Sequence, residues 1–308
     1  MTHARIHHTR HTTEVNAPAD VVYNLIRDAP DWPLHMPPNI HVERLEFNGS
    51  QERLRMWATA NEQVKSWTSR RDLDPLQKRI EFRQEISSAP VATMGGTWII
   101  EPTTDVACIL VLLHHFSVVD DNPADIEWVH RATDHNSNTE LANLKAVAER
   151  LSSFDDLVIS VENSVAVNGP AERAAEFLRS PLMWPTRLPA VTTAQCREDD
   201  ATVQRLSLRV LGEVEDLESV RVWLPESGRI VYKQLAPRGL VETHTGTWTI
   251  TETSFSTART TGRHTVVLRA SEVGPMSNPA ARELVRATLK RHSLAILSQA
   301  KAHAESAA

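Results

Sequence analysis

Hydrophobic and polar positions along the chain follow one programme, and the programme is written twice. Thr12 to Val15 reads as a strand, and Asn16-Ala17-Pro18-Ala19-Asp20 reads as a helix entry, with proline at a first-turn position whose N–H is not needed. Val21, Val22, Leu25 and Ile26 then supply one apolar helical face. The phrase returns as Val165-Ala166-Val167-Asn168-Gly169-Pro170, followed by Ala174, Ala175, Phe177 and Leu178. Pro18 and Pro170 lie 152 residues apart, and so do the pairs Trp32-Pro33 and Trp184-Pro185.

Farther on the spacing becomes 150, as a small loop difference allows. Arg79-Ile80-Glu81-Phe82-Arg83-Gln84 answers Arg229-Ile230-Val231-Tyr232-Lys233-Gln234, and Gly96-Thr97-Trp98 answers Gly246-Thr247-Trp248. Each copy then has an apolar alternating stretch, Ile109 to Val119 and Thr265 to Leu268, and ends in a long helical pattern, Asn138 to Leu151 and Pro279 to Ala302. Strands in a block with helices at the ends predict an α+β class, each copy a curved antiparallel sheet closed by a long helix over an interior space. The boundary falls near Ser152 to Asp156, so the predicted domains are 1–153 and 154–308.

Strand alternation sorts residues by face. In Lys65 to Asp72, the positions Ser66, Thr68, Arg70 and Asp72 form a solvent-facing side, while Trp67 argues that Ser69 and Arg71 point inward with it. An inward guanidinium needs a partner carboxylate, a wet cavity or an anionic ligand. Ile80, Phe82 and Gln84 share a face, as do Ile230, Tyr232 and Gln234. Met94, Gly96, Trp98 and Ile100 share the next, with His244, Gly246, Trp248 and Ile250 as counterparts. A few polar groups among apolar walls suit a ligand cavity, although tryptophan on a strand is more often plain core. His35, in the loop after Pro33, either lines a pocket mouth or is simply solvated. Val285, Leu289, His292 and Ile296 form an apolar stripe on the last helix, in which His292 reads as a satisfied core histidine.

Composition narrows the function classes. The chain has 308 residues, 41% of them apolar, enough for two cores. Its 33 Lys and Arg against 39 Asp and Glu give a net charge of −6, which argues against nucleic acid as a partner. Cys108 and Cys196 are too few for a disulfide framework or a thiolate metal site, and no apolar run is long enough to span a bilayer. With no secretory apolar stretch near Met1 to His11, a soluble cytoplasmic protein is expected. His3, His7, His8 and His11 read as a flexible terminal tract, and His114-His115, on opposite faces of a strand, cannot chelate together. No Gly-rich phosphate loop, Gly-x-Ser-x-Gly elbow or Cys-x-x-Cys occurs, so neither a cofactor nor a metal is expected.

The pattern resembles the aromatase/cyclases of bacterial type II polyketide synthases, specifically their di-domain members. The residues that carry the resemblance are Asn16-Ala17-Pro18-Ala19, Trp32-Pro33, Trp67-Thr68-Ser69-Arg70-Arg71, Met94 to Trp98, and His135-Asn136 with Asn143. It implies two tandem helix-grip domains, related to START and plant-allergen folds, enclosing a poly-β-ketone delivered on an acyl carrier protein by other synthase components. The implied activity is first-ring aldol closure between carbons 7 and 12, dehydrative aromatisation, or both. By the resemblance Arg71 is the electrostatic anchor with Ser69 as a second donor, and Arg221 with Ser219 their counterparts. Trp32, His35, Trp67, Gln84, Met94, Trp98 and Asn136 would bind substrate in the first copy; Trp184, Gln234, His244, Trp248 and Arg286 would do so in the second. Gln84 stands where a single-domain relative has Arg, Trp67 becomes Leu217, and Asn136 is paired with Arg286. Both copies are expected to be cavities that divide the work, with the first, whose motif is fuller, favoured for chemistry. The rival expectation is a non-catalytic START-like carrier, since fold does not fix function.

Overall fold

The computed structural model describes residues 5–60, 63–150, 154–212, 215–254, 256–273 and 279–306. The chain forms two compact units, Met1–Ser153 and Phe154–Ala308. The expected linker stretch Ser152 to Asp156 lies partly outside the described residues, as does His3.

The first unit runs β1 (His7–Val15), α1 (Ala19–Arg27), α2 (Trp32–His35), β2 (Asn39–Phe47), β3 (Gln51–Ala60), β4 (Gln63–Asp74), β5 (Arg79–Gln84), β6 (Val91–Thr104), β7 (Ala107–Val118) and α3 (Pro123–Arg150). The second runs α4 (Phe154–Leu157), β8 (Val158–Val167), α5 (Ala171–Arg179), α6 (Trp184–Arg187), β9 (Val191–Glu198), β10 (Val203–Val210), β11 (Leu217–Leu224), β12 (Arg229–Gln234), β13 (Val241–Ser254), β14 (Thr257–Leu268), α7 (Ala270–Val273) and α8 (Pro279–Glu305). Each sheet has seven antiparallel strands, ordered β1-β7-β6-β5-β4-β3-β2 and β8-β14-β13-β12-β11-β10-β9. The long helix of each unit packs on the first and last strands of its sheet, the helix-grip arrangement anticipated from the block of strands.

Three features depart from the sequence reading. Helix α3 begins at Pro123, well before Asn138, because Asn122 Oδ1 accepts the N–H groups of Ala124 (2.9 Å) and Asp125 (3.4 Å). Its first half offers only Val129, Thr133 and Ser137 to the core, too sparse an apolar stripe to announce a helix. The connection into the long helix also differs, residues 119–122 in the first unit against 269–278 in the second. The buried faces Ser137, Leu141, Leu144, Ala148 and Ser293, Leu297, Ala300, Ala304 therefore correspond at a spacing of 156, not 150. The supposed terminal histidine tract is strand: His7 stacks on Phe116 with ring centroids 5.4 Å apart, and His11 Nε2 lies 2.9 Å from Asp134.

What fixes α1 to the sheet is Arg71, of which 3% is exposed. The last carbonyls of a helix lack intrahelical partners. Arg71 donates to two of them, Nη1 to Ile26 O (2.8 Å) and Nη2 to Arg27 O (2.6 Å). Its Nε donates to Glu52 Oε1 (2.8 Å), its Nη2 lies 2.7 Å from the same oxygen, and Arg44 Nε binds Glu52 Oε2 (2.6 Å). Trp32 lies 5.2 Å from the guanidinium and donates its Nε1–H to Leu25 O (3.1 Å). The partner carboxylate, one of three possibilities for an inward arginine, is the one realised.

Removing one member of a buried pair leaves the other uncompensated. Arg71→Ala is expected to lower unfolding stability by about 3–5 kcal/mol in chemical denaturation. Arg70→Ala, which removes only the partly exposed pairs of Arg70 with Glu85 and Glu46, should cost no more than about 1 kcal/mol. Equal effects would contradict the assignment of Arg71 as the clamp.

Candidate active site

In the second unit the curved sheet and α8 enclose a cavity of ≈ 220 Å³. Strand alternation brings Ser219 and Arg221 from β11, Tyr232 and Gln234 from β12, His244 and Trp248 from β13, and His264 from β14 to its wall. Trp184, Leu217, Leu289, His292, Ser293 and Ile296 complete much of the rest. Of the residues expected to bind or react here, Trp184, Ser219, Arg221, Gln234, His244 and Trp248 are brought together. Arg286 is not: it stands half-exposed beside Glu283 (3.9 Å) and is not part of the lining. The longer connection before α8 is the reason, since it places His292 rather than Arg286 at the level of Asn136. His292, read from sequence as core, is an exposed residue on the cavity rim.

The centre of the wall is a hydrogen-bonded relay. Tyr232 Oη lies 2.7 Å from His264 Nδ1 and 3.0 Å from His244 Nε2, and His244 Nδ1 lies 3.2 Å from Gln234 Oε1. An amide oxygen only accepts, so His244 carries its proton on Nδ1 and accepts the Tyr232 hydroxyl proton at Nε2. Tyr232 Oη then accepts from His264 Nδ1–H, and the remaining His264 Nε2 carries a lone pair. That nitrogen is buried and unpartnered, as is Ser293 Oγ nearby on α8. The phenol can lie across the sheet because Gly246 stands opposite Tyr232 in the ladder: a Cβ there would approach the phenol oxygen to 2.6 Å.

Burial holds both imidazoles neutral. Desolvation, reinforced by the neighbouring His264 and His292, lowers His244 to about 3, and desolvation lowers His264 to about 4. Burial raises the Tyr232 phenol above its ordinary value, opposed by the charge of Arg221. Arg221 is 2% exposed, stacks on Trp184 at 5.4 Å and donates through Nη2 to Leu178 O; burial lowers it to about 10. At that value it remains a cation at neutral pH.

The first unit repeats the scaffold with different chemistry. Phe82 lies opposite Gly96 where Tyr232 lies opposite Gly246, and Met94 occupies the place of His244. His114 keeps the position of His264, edge-on to Phe82 at 5.5 Å, with Ser137 Oγ 3.4 Å from its Nδ1; burial lowers it to about 4. Met94 packs with Phe116, Val118 and Val129, while Trp67, Phe82 and Trp98 join the main core. Several expectations change here. Arg71 is committed to Glu52 and to backbone carbonyls, and Ser69 Oγ donates to Arg83 O (2.9 Å), so neither is an idle donor. Asn136 is exposed, because Ser137, one residue on, occupies the inward face of α3. Gln84 accepts from Ser87 Oγ (3.3 Å), and His35 is half-buried at the end of α2.

Alternation marks Tyr232 as inward without giving it a role, and His264 lies just before the apolar stretch that starts at Thr265, although the strand begins at Thr257. Among the described residues no group of His, Cys, Asp and Glu could hold a metal ion, and no helix is long and apolar enough to cross a membrane.

Comparison with known proteins bears on both units. The family described as "Polyketide cyclase / dehydrase and lipid transport" matches residues 7–149 and again 158–305. The granaticin polyketide synthase bifunctional cyclase/dehydratase of Streptomyces violaceoruber is 35% identical, over 98% of this chain and 95% of its own. The actinorhodin polyketide synthase bifunctional cyclase/dehydratase of Streptomyces coelicolor is 36% identical, over 97% of each. Among solved structures, the di-domain ARO/CYC BexL of the BE-7585A biosynthetic pathway superposes with a TM-score of 0.86 at 41% identity, over 97% of this chain and 99% of that one. The di-domain ARO/CYC StfQ of the steffimycin pathway does so with 0.83 at 26%, over 97% and 98%.

The buried histidines set a pH window. Their folded pKa values lie below the ordinary 6.5, so below pH 6.5 the unfolded chain binds protons that the folded chain refuses. The contribution favours folding least in acid: stability is expected to fall as pH drops from about 6.5 towards 4. His264→Asn should flatten that fall in thermal melts taken across this range, and a parallel slope in the variant would contradict the burial of a neutral imidazole.

Proposed function

This chain belongs to the polyketide cyclase/dehydrase and lipid transport family, and on that premise we propose that it is an aromatase/cyclase of a type II polyketide synthase. It acts in the cytoplasm on a poly-β-ketone carried by an acyl carrier protein, closing the first ring between carbons 7 and 12 and removing water. The observation that carries the reading is the Tyr232–His244–His264 relay against an apolar cavity.

A methylene flanked by two carbonyls is acidic enough for a neutral imidazole to deprotonate. The His264 Nε2 lone pair takes that proton, and the resulting enolate carbon attacks a ketone carbon, leaving an alkoxide. Tyr232 Oη supplies a proton to the alkoxide and is reprotonated through the histidine hydrogen bonds. The methylene proton then rests on His264 Nε2 and the former Nδ1 proton on Tyr232. Once Nε2 has released its proton and Nδ1 has regained one, Nε2 takes a second proton alpha to a carbonyl. The C–O bond of the hydroxyl breaks as the C=C bond forms, and the leaving oxygen receives the Tyr232 proton and departs as water. Arg221 and Ser219 give the wall a positive and polar side on which the developing negative charge is stabilised. Trp184, Trp248 and Leu217 fold the chain so that the methylene meets the right carbonyl. The chemistry is thus assigned to the second unit, where sequence reasoning favoured the first. Phe82 and Met94 give the first unit no phenol or imidazole at the matching places, and its contribution is to shape and hold the chain.

Reconstitution with a minimal type II synthase, with and without a ketoreductase, tests the proposal through product mass and UV spectrum. Tyr232→Phe should keep its fold, since Phe82 occupies the matching place in the first unit, and should slow ring closure or dehydration by about 10²- to 10⁴-fold. A carrier would alter yield and leave the regiochemistry of shunt products alone. Unchanged products in both Tyr232→Phe and His264→Asn would overturn the assignment.

A further inference from the structure

The two inward arginines have the same neighbours in backbone but not in charge. Arg71 pairs in register with Glu52 on β3; Arg221 pairs in register with Gln204 on β10. In the first unit Glu52 is fully buried between Arg71 and Arg44. In the second, the place of Arg44 is taken by Cys196, whose thiol burial keeps protonated despite Arg221. Gln204 cannot supply charge, and its Nε2–H₂ donates to Arg179 O (3.1 Å), the carbonyl that corresponds to the one Arg71 takes at Arg27. Arg221 is left with Leu178 O and the face of Trp184, and its Nη1 is buried without a partner. No carboxylate pairs with it among the described residues. Glu198 is exposed and is bound by Gln204 Nε2 (3.5 Å) instead.

A separate small cavity of ≈ 30 Å³ is lined by Arg221 together with Arg179, Glu198, Gln204, Trp223 and Ile230, and by none of the main cavity's histidines. One water-sized sphere needs roughly 10–15 Å³ by this measure, so a halide or a planar three-atom oxyanion fits and a longer acid does not. A buried guanidinium without a counter-charge is costly, and a small cavity lined by that side chain is a place where the cost is relieved.

We infer that Arg221 is the receptor of a small monovalent anion, of chloride or formate size, bound in this cavity where the first unit uses the Glu52 carboxylate. The anion is a built-in counter-ion of the second unit and is separate from the substrate cavity. The site asks for one negative charge and one or two acceptor atoms, provided in the first unit by the protein itself.

At constant ionic strength, replacing gluconate, which is too large to enter, by chloride or formate should raise the Tm of the whole chain saturably, by about 2–4 °C. Crystals soaked in bromide should give an anomalous peak beside Arg221 Nη1, on the Gln204 side. Gln204→Glu supplies the missing carboxylate: it should raise Tm in gluconate and abolish the chloride response. A flat chloride and formate titration of the unaltered protein, or a bromide peak only on the main-cavity side of Arg221, overturns the inference, even if Gln204→Glu does not fold.

Discussion

A buried guanidinium docked under the last turn of a short helix is the constraint on which each unit depends. Helices α1 and α5 are only nine residues long, too short to hold themselves, and their final carbonyls need donors. Arg71 and Arg221 supply them from the middle of the sheet, and the positive charge suits the negative end of the helix dipole. The following Trp-Pro turn is tied to the same place twice, by stacking on the guanidinium and by the indole N–H to Leu25 O or Phe177 O. Each short helix is thereby held against its sheet. The cost is that an arginine held so firmly is poorly placed to follow a flexible ligand.

Upon that common frame, two side-chain differences separate a lined core from a reactive wall. Glycine opposite an aromatic ring recurs at Gly96–Phe82 and Gly246–Tyr232, so the ring position is part of the shared scaffold. Adding one oxygen at that ring and one imidazole in place of Met94 joins four residues into a continuous relay with Gln234 at its end. The histidine at the far side, His114 or His264, is present in both units, yet only in the second does it meet a phenol. The relay is rigid because every member stands on a strand, which is the kind of preorganisation that makes proton transfer efficient.

The sequence made the repeat, the faces of β4 to β6 and β11 to β13, and the Trp-Pro turns legible, because each is written in local alternation or in a recurring phrase. What it could not convey was register across elements. Arg71 is inward by alternation, but that Glu52 stands opposite it depends on the pairing of β3 with β4. Asn136 and Arg286 were matched by carrying the sheet's spacing into the helix, although six extra residues intervene before α8; the true counterpart of Asn136 is His292. His264 was hidden because Thr257 to Arg263 is threonine- and arginine-rich, and a strand with so few large apolar residues announces itself weakly.

Charge distribution then explains why the relay is built from neutral parts. Two imidazoles pushed to about 3 and 4 cannot store a proton at physiological pH, so each proton taken from a methylene must be passed on or returned within the same event. The one permanent charge in the wall, Arg221, acts on Tyr232 in the opposite sense from burial, easing negative charge onto the phenol oxygen. The arrangement therefore favours the moment at which Tyr232 has given its proton to an alkoxide, and disfavours a resting imidazolium. In the first unit Glu52 cancels the corresponding charge, and the phenol that would feel it is absent. The loss of the carboxylate and the gain of the phenol occur in the same copy.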